Sequence, residues 1–299
     1  MVNSIENMDT FTFIEGEVSW MERVSIRLVE DLSGKKEIAK RYQRVVDDQT
    51  PEKSFWQRAV EQLDLEILVN GLSPAEIPQG PLLIVANHPF GQVDGVVLSH
   101  LIETFRPDYR VVAWEILNAS DQLADVVLPI CFKEDYSAKR NNLATMRLTI
   151  DTLQQGKTVI LFPAGMTSTS PTWFGTAVDP PWQKFLSKLI LKTNPTILPV
   201  YFHGQNSRLF QIASHLNYHL KLSLFFYEMR RMIGQEIRVS IGQPQQNLLE
   251  VFGRDESQII SHLYQSTMDL RQLRADPFHP FSADYYRQSQ LPQDFERVA

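Results

Sequence analysis

The sequence predicts an α/β fold, a mostly parallel sheet flanked by helices, with an N-terminal helical appendage. Three observations lead there. From Leu65 onward, short apolar runs alternate with segments of helical periodicity, the rhythm of strands joined by crossover helices. The clearest run, Leu82-Leu83-Ile84-Val85-Ala86, is apolar at every position and is bounded by Pro81 and Asn87, as suits a strand covered on both faces. Finally, 43% of the 299 residues are hydrophobic, enough to bury a sizeable core.

Residues 1–64 read as the helical appendage. Val18, Met21, Val24, Leu28 and Leu32 form an apolar stripe at helical spacing that Gly34 ends. A second helix is expected over 36–46, with Lys35, Lys36, Lys40, Arg41 and Arg44 making one side basic. Glu37 and Asp47-Asp48 dilute that field, so it reads first as a solvated face and second as a lipid-headgroup contact. A third helix holds Phe55, Trp56, Ala59, Val60 and Leu63, with its aromatics assigned to the core.

Residues 65–275 carry the α/β domain, with strands expected at 67–69, 82–86, 110–113, 126–131, 158–162, 197–202 and 237–241. A helix capped near Ser137 would turn Leu143, Met146, Ile150 and Leu153 inward. Pro199 lacks a ladder N–H, which implies an edge position or a bulge. The stretch 216–227 fits two structures. Leu216, Tyr218, Leu220, Leu222 and Leu224 alternate like a strand, whereas a helix would put His215 and His219 on one face. That face also admits a metal pair, but no third ligand is near, and no metal is assigned. Between Met166 and Trp182 lies an irregular loop with Trp173 and Phe174, in keeping with a lid or a lipid-facing flap. Residues 276–299, with three prolines, read as a tail draped over the domain.

Composition narrows the function classes. A net charge of −6 gives no general affinity for nucleic acid or anionic lipid, so no nucleic-acid partner is expected. The single cysteine, Cys131, excludes a disulfide framework and suits a reducing cytosol. Met1 to Phe13 has no apolar core of a signal peptide, and no run approaches the roughly 18 apolar residues of a membrane span. Dinucleotide-binding and P-loop glycine patterns, internal repeats and a nucleophile elbow are all absent.

The chemistry gathers at Asn87-His88-Pro89-Phe90-Gly91-Gln92-Val93-Asp94, just past the 82–86 strand, where sites in parallel sheets lie. Pro89 biases His88 toward extended dihedrals. Val93, Val96, Val97 and Leu101 have helical spacing after Gly91, which places Asp94 in a first turn, where the helix dipole favours its ionised form. From there Asp94 can accept the imidazole N–H and leave the other ring nitrogen as a general base.

This string resembles the first motif of the glycerophospholipid acyltransferases, the 1-acylglycerol-3-phosphate O-acyltransferase superfamily. The common form has four residues between His and Asp, whereas five stand between His88 and Asp94 here. With Asn-His-Pro-Phe-Gly before Asp94-Gly95, the closer resemblance is to the hemolysin-like branch that includes lyso-ornithine-lipid acyltransferases. Phe162-Pro163-Ala164-Gly165-Met166-Thr167-Ser168 is similar to the family's Phe-Pro-Glu-Gly-Thr-Arg-Ser block, which helps bind the acceptor. Ala164 replaces the glutamate and no arginine follows, a departure that agrees with the branch. Asp179-Pro180-Pro181-Trp182 and Leu198-Pro199-Val200 match it too. Lys139 and Arg140 fall in the region where the family carries a headgroup arginine, and they serve equally as ordinary surface-helix residues.

The resemblance implies an O-acyltransferase in which His88 deprotonates a lysolipid hydroxyl that attacks an acyl thioester, with Asp94 steadying the imidazolium. Asn87, Lys139, Arg140 and Phe162 to Ser168 become the candidate substrate contacts. No cofactor is expected to be bound. The donor would be acyl carrier protein or coenzyme A thioester, and the acceptor would be met at the membrane surface by a cytoplasmic protein peripheral on the inner face. Two alternatives stay open: a non-catalytic lipid-binding protein of the same fold, and a thioesterase or lysolipid hydrolase in which His88 activates water.

Overall fold

The computed structural model describes residues 19–73, 76–114, 121–131 and 135–282. Its centre is β2 (Leu82–Ala86), every residue of which is buried. Alternation sends Leu82, Ile84 and Ala86 into one apolar core and Leu83 and Val85 into another, so the strand must be apolar throughout. It pairs in parallel with β5 (Thr158–Leu161) on one side and β6 (Thr196–His203) on the other. Beyond β5 lie β3 (Tyr109–Trp114) and β4 (Val127–Ile130), also parallel. Beyond β6 the direction reverses. β7 (Glu236–Ile241) runs antiparallel to β6, β1 (Glu66–Gly71) pairs in parallel with β7, and β8 (His279–Pro280) closes that edge antiparallel to β1. The eight-stranded order is β4-β3-β5-β2-β6-β7-β1-β8.

Helices cover both faces. α1 (Trp20–Leu32), α2 (Lys35–Asp47), α3 (Phe55–Gln62) and α4 (Gln92–Glu103) precede β3 or flank it. α5 (Tyr136–Gln154) and α6 (Lys184–Thr193) cover the opposite face with α11 (Glu256–Asp269), near the short α10 (Leu248–Phe252). α7 (Arg208–Leu216), α8 (Tyr218–Ser223) and α9 (Phe225–Met232) fill the β6–β7 connection. The helices of 1–64 are not a detached unit, because Trp56 and Val60 of α3 share a core with Ile67, Ile84 and Val97.

Several local expectations change on folding. The α1 stripe faces outward: Val24 is 49%, Leu28 60% and Leu32 75% exposed, with Trp20 beside them, whereas Ile26 is buried. Val18 lies outside the described residues. On α2, Lys35 is buried against Glu30 at 3.4 Å and Arg41 is tied to Glu37 at 3.3 Å, so two of the five basic residues are already neutralised. α5 is capped by Asp135, which accepts the Ala138 N–H at 2.7 Å, and its inward face carries Thr145, Thr149 and Thr152 while Leu143 is exposed. Each of those hydroxyls donates to a backbone carbonyl, which lets a polar face pack without loss. Pro199 stands in a central strand, not at an edge. Its carbonyl accepts from Gly242, and the β6–β7 ladder begins only at Val200, so the missing N–H falls just outside that ladder. The stretch 216–227 is helical, broken at Asn217, which caps α8 and puts His215 and His219 on different helices. The tail begins as the β8 edge strand, and 283–299 lie outside the described residues.

Candidate active site

Past β2 the chain is anchored by Asn87, whose side chain exchanges two hydrogen bonds with the Phe202 backbone on β6, at 3.0 and 2.7 Å. The turn then needs Gly91. Its φ of 73° and ψ of −124° suit only glycine, and a Cβ there would come within 3.1 Å of the Phe225 ring. The turn delivers Asp94 to the first turn of α4. One carboxylate oxygen, Oδ2, accepts the N–H groups of Phe90 and Gly91 at 2.9 and 3.0 Å and lies 3.0 Å from His88 Nδ1. The His88 contact is close but falls short of a linear hydrogen bond. Burial raises the Asp94 pKa above the ordinary carboxylate value, opposed by the His88 contact and the Phe90 N–H.

His88 itself is gripped through its backbone. Its N–H donates to Asp179 Oδ1 at 3.1 Å and its carbonyl accepts the Ser168 N–H at 2.8 Å. Asp179 also accepts from the Ser168 hydroxyl and from Trp182 Nε1, the latter at 3.1 Å, so one buried carboxylate ties the His88 turn to the 162–182 loop. The Phe162 ring lies 4.3 Å from the imidazole, tilted by 32°, and fixes its plane. With Nδ1 on Asp94, Nε2 is left for the cavity that the ring lines.

That cavity, of about 590 Å³, opens at the carboxyl ends of β2, β3, β4 and β5. His88, Gly91, Gln92 and Gly95 form one wall, and Val111 to Trp114 with Ile130 form the base. Leu161 to Pro163, Gly165 to Thr167 and Phe185 form a third side, and Tyr218, Lys221, Leu222 and Phe225 form a fourth. A second apolar cavity of about 150 Å³ lies under α2 and α3 and shares Gln92, Gly95, Val111 and Ala113 with the first. Gly95 lines both, and a Cβ there would touch nothing within 4 Å.

The structure therefore brings together His88, Asp94, Phe162, Pro163, Gly165, Met166 and Thr167. Five other candidates lie elsewhere. Asn87 spends its amide on Phe202, and Ser168 spends its hydroxyl on Asp179. Ala164, only 1% exposed, packs in the core with Leu83. Lys139 and Arg140 are exposed on α5, away from the cavity lining. Asp179 and Lys221 carried no readable role in the sequence. Asp179 appeared only as the head of its Pro-Pro-Trp string, and Lys221 was not singled out at all. His215 stacks on Trp173 at 5.1 Å, and no group of three His, Cys, Asp or Glu fit for a metal occurs among the described residues.

The chain is 25% identical over 198 residues to a lyso-glycine lipid O-acyltransferase of Phocaeicola vulgatus, covering 64% of this chain and 68% of that protein. A lyso-glycine lipid O-acyltransferase of Bacteroides thetaiotaomicron is likewise 25% identical over 198 residues, covering 64% and 70%. Among solved structures, the 1-acyl-sn-glycerophosphate acyltransferase PlsC of Thermotoga maritima overlays with a TM-score of 0.44 at 16% identity, over 86% of this chain and 99% of that one. The acyltransferase family profile matches residues 45–258, which run from α2 into α11 and take in the whole site, and the chain belongs to the acyltransferase family.

Proposed function

We propose that this protein is an O-acyltransferase that moves an acyl chain from an acyl thioester to the hydroxyl of a lysolipid carrying an amino-acid headgroup. The observation that carries the reading is the pairing of His88 Nδ1 with buried Asp94 at 3.0 Å, beside a large apolar cavity. Asp94 orients the ring and offsets the imidazolium charge, so Nε2 can take the hydroxyl proton as the oxygen attacks the thioester carbonyl. The thiolate then leaves and takes up a proton from the imidazolium. The N–H groups of Met166 and Thr167, at the cavity wall, donate to no protein acceptor among the described residues and are the proposed oxyanion donors. The two joined cavities give acyl chains apolar room.

The amino-acid headgroup is supported by the departures in the Phe162–Ser168 block and by the lyso-glycine lipid relatives. We assign the lipid contact to the exposed apolar residues of α1, which packs on α8, and to the flap held by the Thr169–Val178 bridge, whose tip shows Phe174 at 79% exposure. No helix among the described residues is long and apolar enough to cross a membrane. The test is to give the purified protein a labelled acyl thioester, on acyl carrier protein and on coenzyme A in separate reactions, with lyso-glycine lipid, lyso-ornithine lipid and lysophosphatidic acid. Acylation of an amino-acid lysolipid with faster turnover than lysophosphatidic acid is expected. Release of free fatty acid without acylated lipid would contradict transfer.

A further inference from the structure

The cavity beside His88 is walled mainly by apolar side chains, and among the described residues Lys221 is the one lysine or arginine that lines it. It sits on the last turn of α8, half-buried, one residue before buried Leu222 and four before Phe225, whose ring abuts Gly91 in the catalytic turn. Its ammonium lies 5.1 Å from the Tyr218 ring centroid, a face that favours a cation, and no carboxylate pairs with it among the described residues. Among the described residues, none with an acidic side chain lines the cavity.

We propose that Lys221 is the receptor for the acceptor's headgroup carboxylate and so sets acceptor specificity, an inference that rests on the lysolipid reading above. The charge count decides which anion. A carboxylate carries a single charge that one ammonium can match. A phosphate monoester carries about −1.5 to −2 at neutral pH and is served by several donors or an arginine fork, which the lining lacks among the described residues. Burial lowers the Lys221 pKa below the ordinary lysine value, the mark of an ammonium that has given up water without a protein anion in return. A ligand carboxylate supplies that anion. Lys139 and Arg140, exposed on α5, do not reach the cavity.

Binding tests this apart from turnover. Calorimetry on the full-length protein compares N-lauroylglycine, its methyl ester, and lauroyl lysophosphatidic acid, each below its micellar concentration. The wild type is expected to bind the free acid about ten- to a hundredfold more tightly than the ester. Lys221→Met is expected to erase that preference with the ester's affinity unchanged, and Lys221→Arg to keep most of it. An undiminished preference in Lys221→Met, or an equal loss for acid and ester, overturns the proposal. A larger loss for lysophosphatidic acid than for N-lauroylglycine makes the site a phosphate site and overturns the carboxylate assignment. A rise in the thioester KM alone assigns Lys221 to the donor and overturns it as well. If the acid preference depends on Lys221 but no lysolipid is acylated, the proposed transfer reaction fails and the carboxylate site stands.

Discussion

At the scale of single residues, the Asp94 carboxylate has to be kept charged where burial opposes the charge. Its Oδ2 is held by two backbone N–H groups, so an amide substituted there would turn its oxygen, not its nitrogen, to that position. Asp94→Asn should therefore keep the His88 tautomer and lose only the negative charge. We expect kcat to fall by about ten- to a hundredfold, roughly the 1.5–3 kcal/mol of one charge-assisted contact to the developing imidazolium. The same change should raise Tm at neutral pH. A carboxyl whose folded pKa lies above its ordinary value of 3.8 stabilises the fold fully below that pH and loses the contribution as pH rises through the folded pKa. The amide does not titrate, so the Tm advantage should shrink as pH falls toward 4. A lower Tm for Asp94→Asn at pH 7 would contradict the buried-charge reading.

Among the elements, α4 joins two tasks in the proposed reading, since its N-terminus holds Asp94 beside His88 and its Gly95 lines both apolar cavities, where we place a passage between them. Glycine inside a helix costs about 0.5–1 kcal/mol relative to alanine. With nothing within 4 Å of a Cβ, Gly95→Ala should recover that stability without blocking the passage. Gly95→Leu should fill it and shift preference toward shorter acyl thioesters, read as the ratio of kcat/KM for long and short donors. An unchanged ratio in Gly95→Leu would mean the second cavity takes no part of the chain. The strands were legible because β2, β3, β5 and β6 are apolar on both faces, a pattern set by local sequence alone. Helix faces were less so. The stripe on α1 is amphipathic in sequence, yet what covers a helix depends on partners distant in the chain, and Ile26 took the buried side. Thr145, Thr149 and Thr152 on α5 read as polar but bury by bonding backbone carbonyls.

For the whole molecule, a net charge of −6 and the pairing of Lys35 and Arg41 with acids favour apolar side chains over basic ones for the lipid contact proposed above. Trp20, Leu28 and Leu32 of α1 and Phe174 of the flap are more than half exposed. Flotation with liposomes should therefore persist at high salt, when screening removes surface electrostatics. Leu28→Asp with Phe174→Ala should reduce the bound fraction severalfold. Loss of flotation at high salt in the wild type would point to the basic side of α2 instead. The site's two halves differ in how far they could be read ahead. His88 and Asp94 lie six positions apart in one string, so their meeting is a local matter. Lys221 reaches the cavity only because the β6–β7 connection folds over it, and Asp179 reaches His88 only because the flap does. The tie of Asn87 to β6 was hidden for the same reason, since its partner Phe202 is 115 positions away.

The most direct measurement is acyl transfer by His88→Ala, followed as labelled lipid product beside the wild type, with Tm and circular dichroism recorded on the same preparations. The ring is partly exposed at the cavity, so trimming it should leave the fold and its Tm close to the wild type. Loss of a general base should lower turnover by about a hundred- to ten-thousandfold. A folded His88→Ala protein that acylates lysolipid at the wild-type rate would contradict the assignment of His88 as the base.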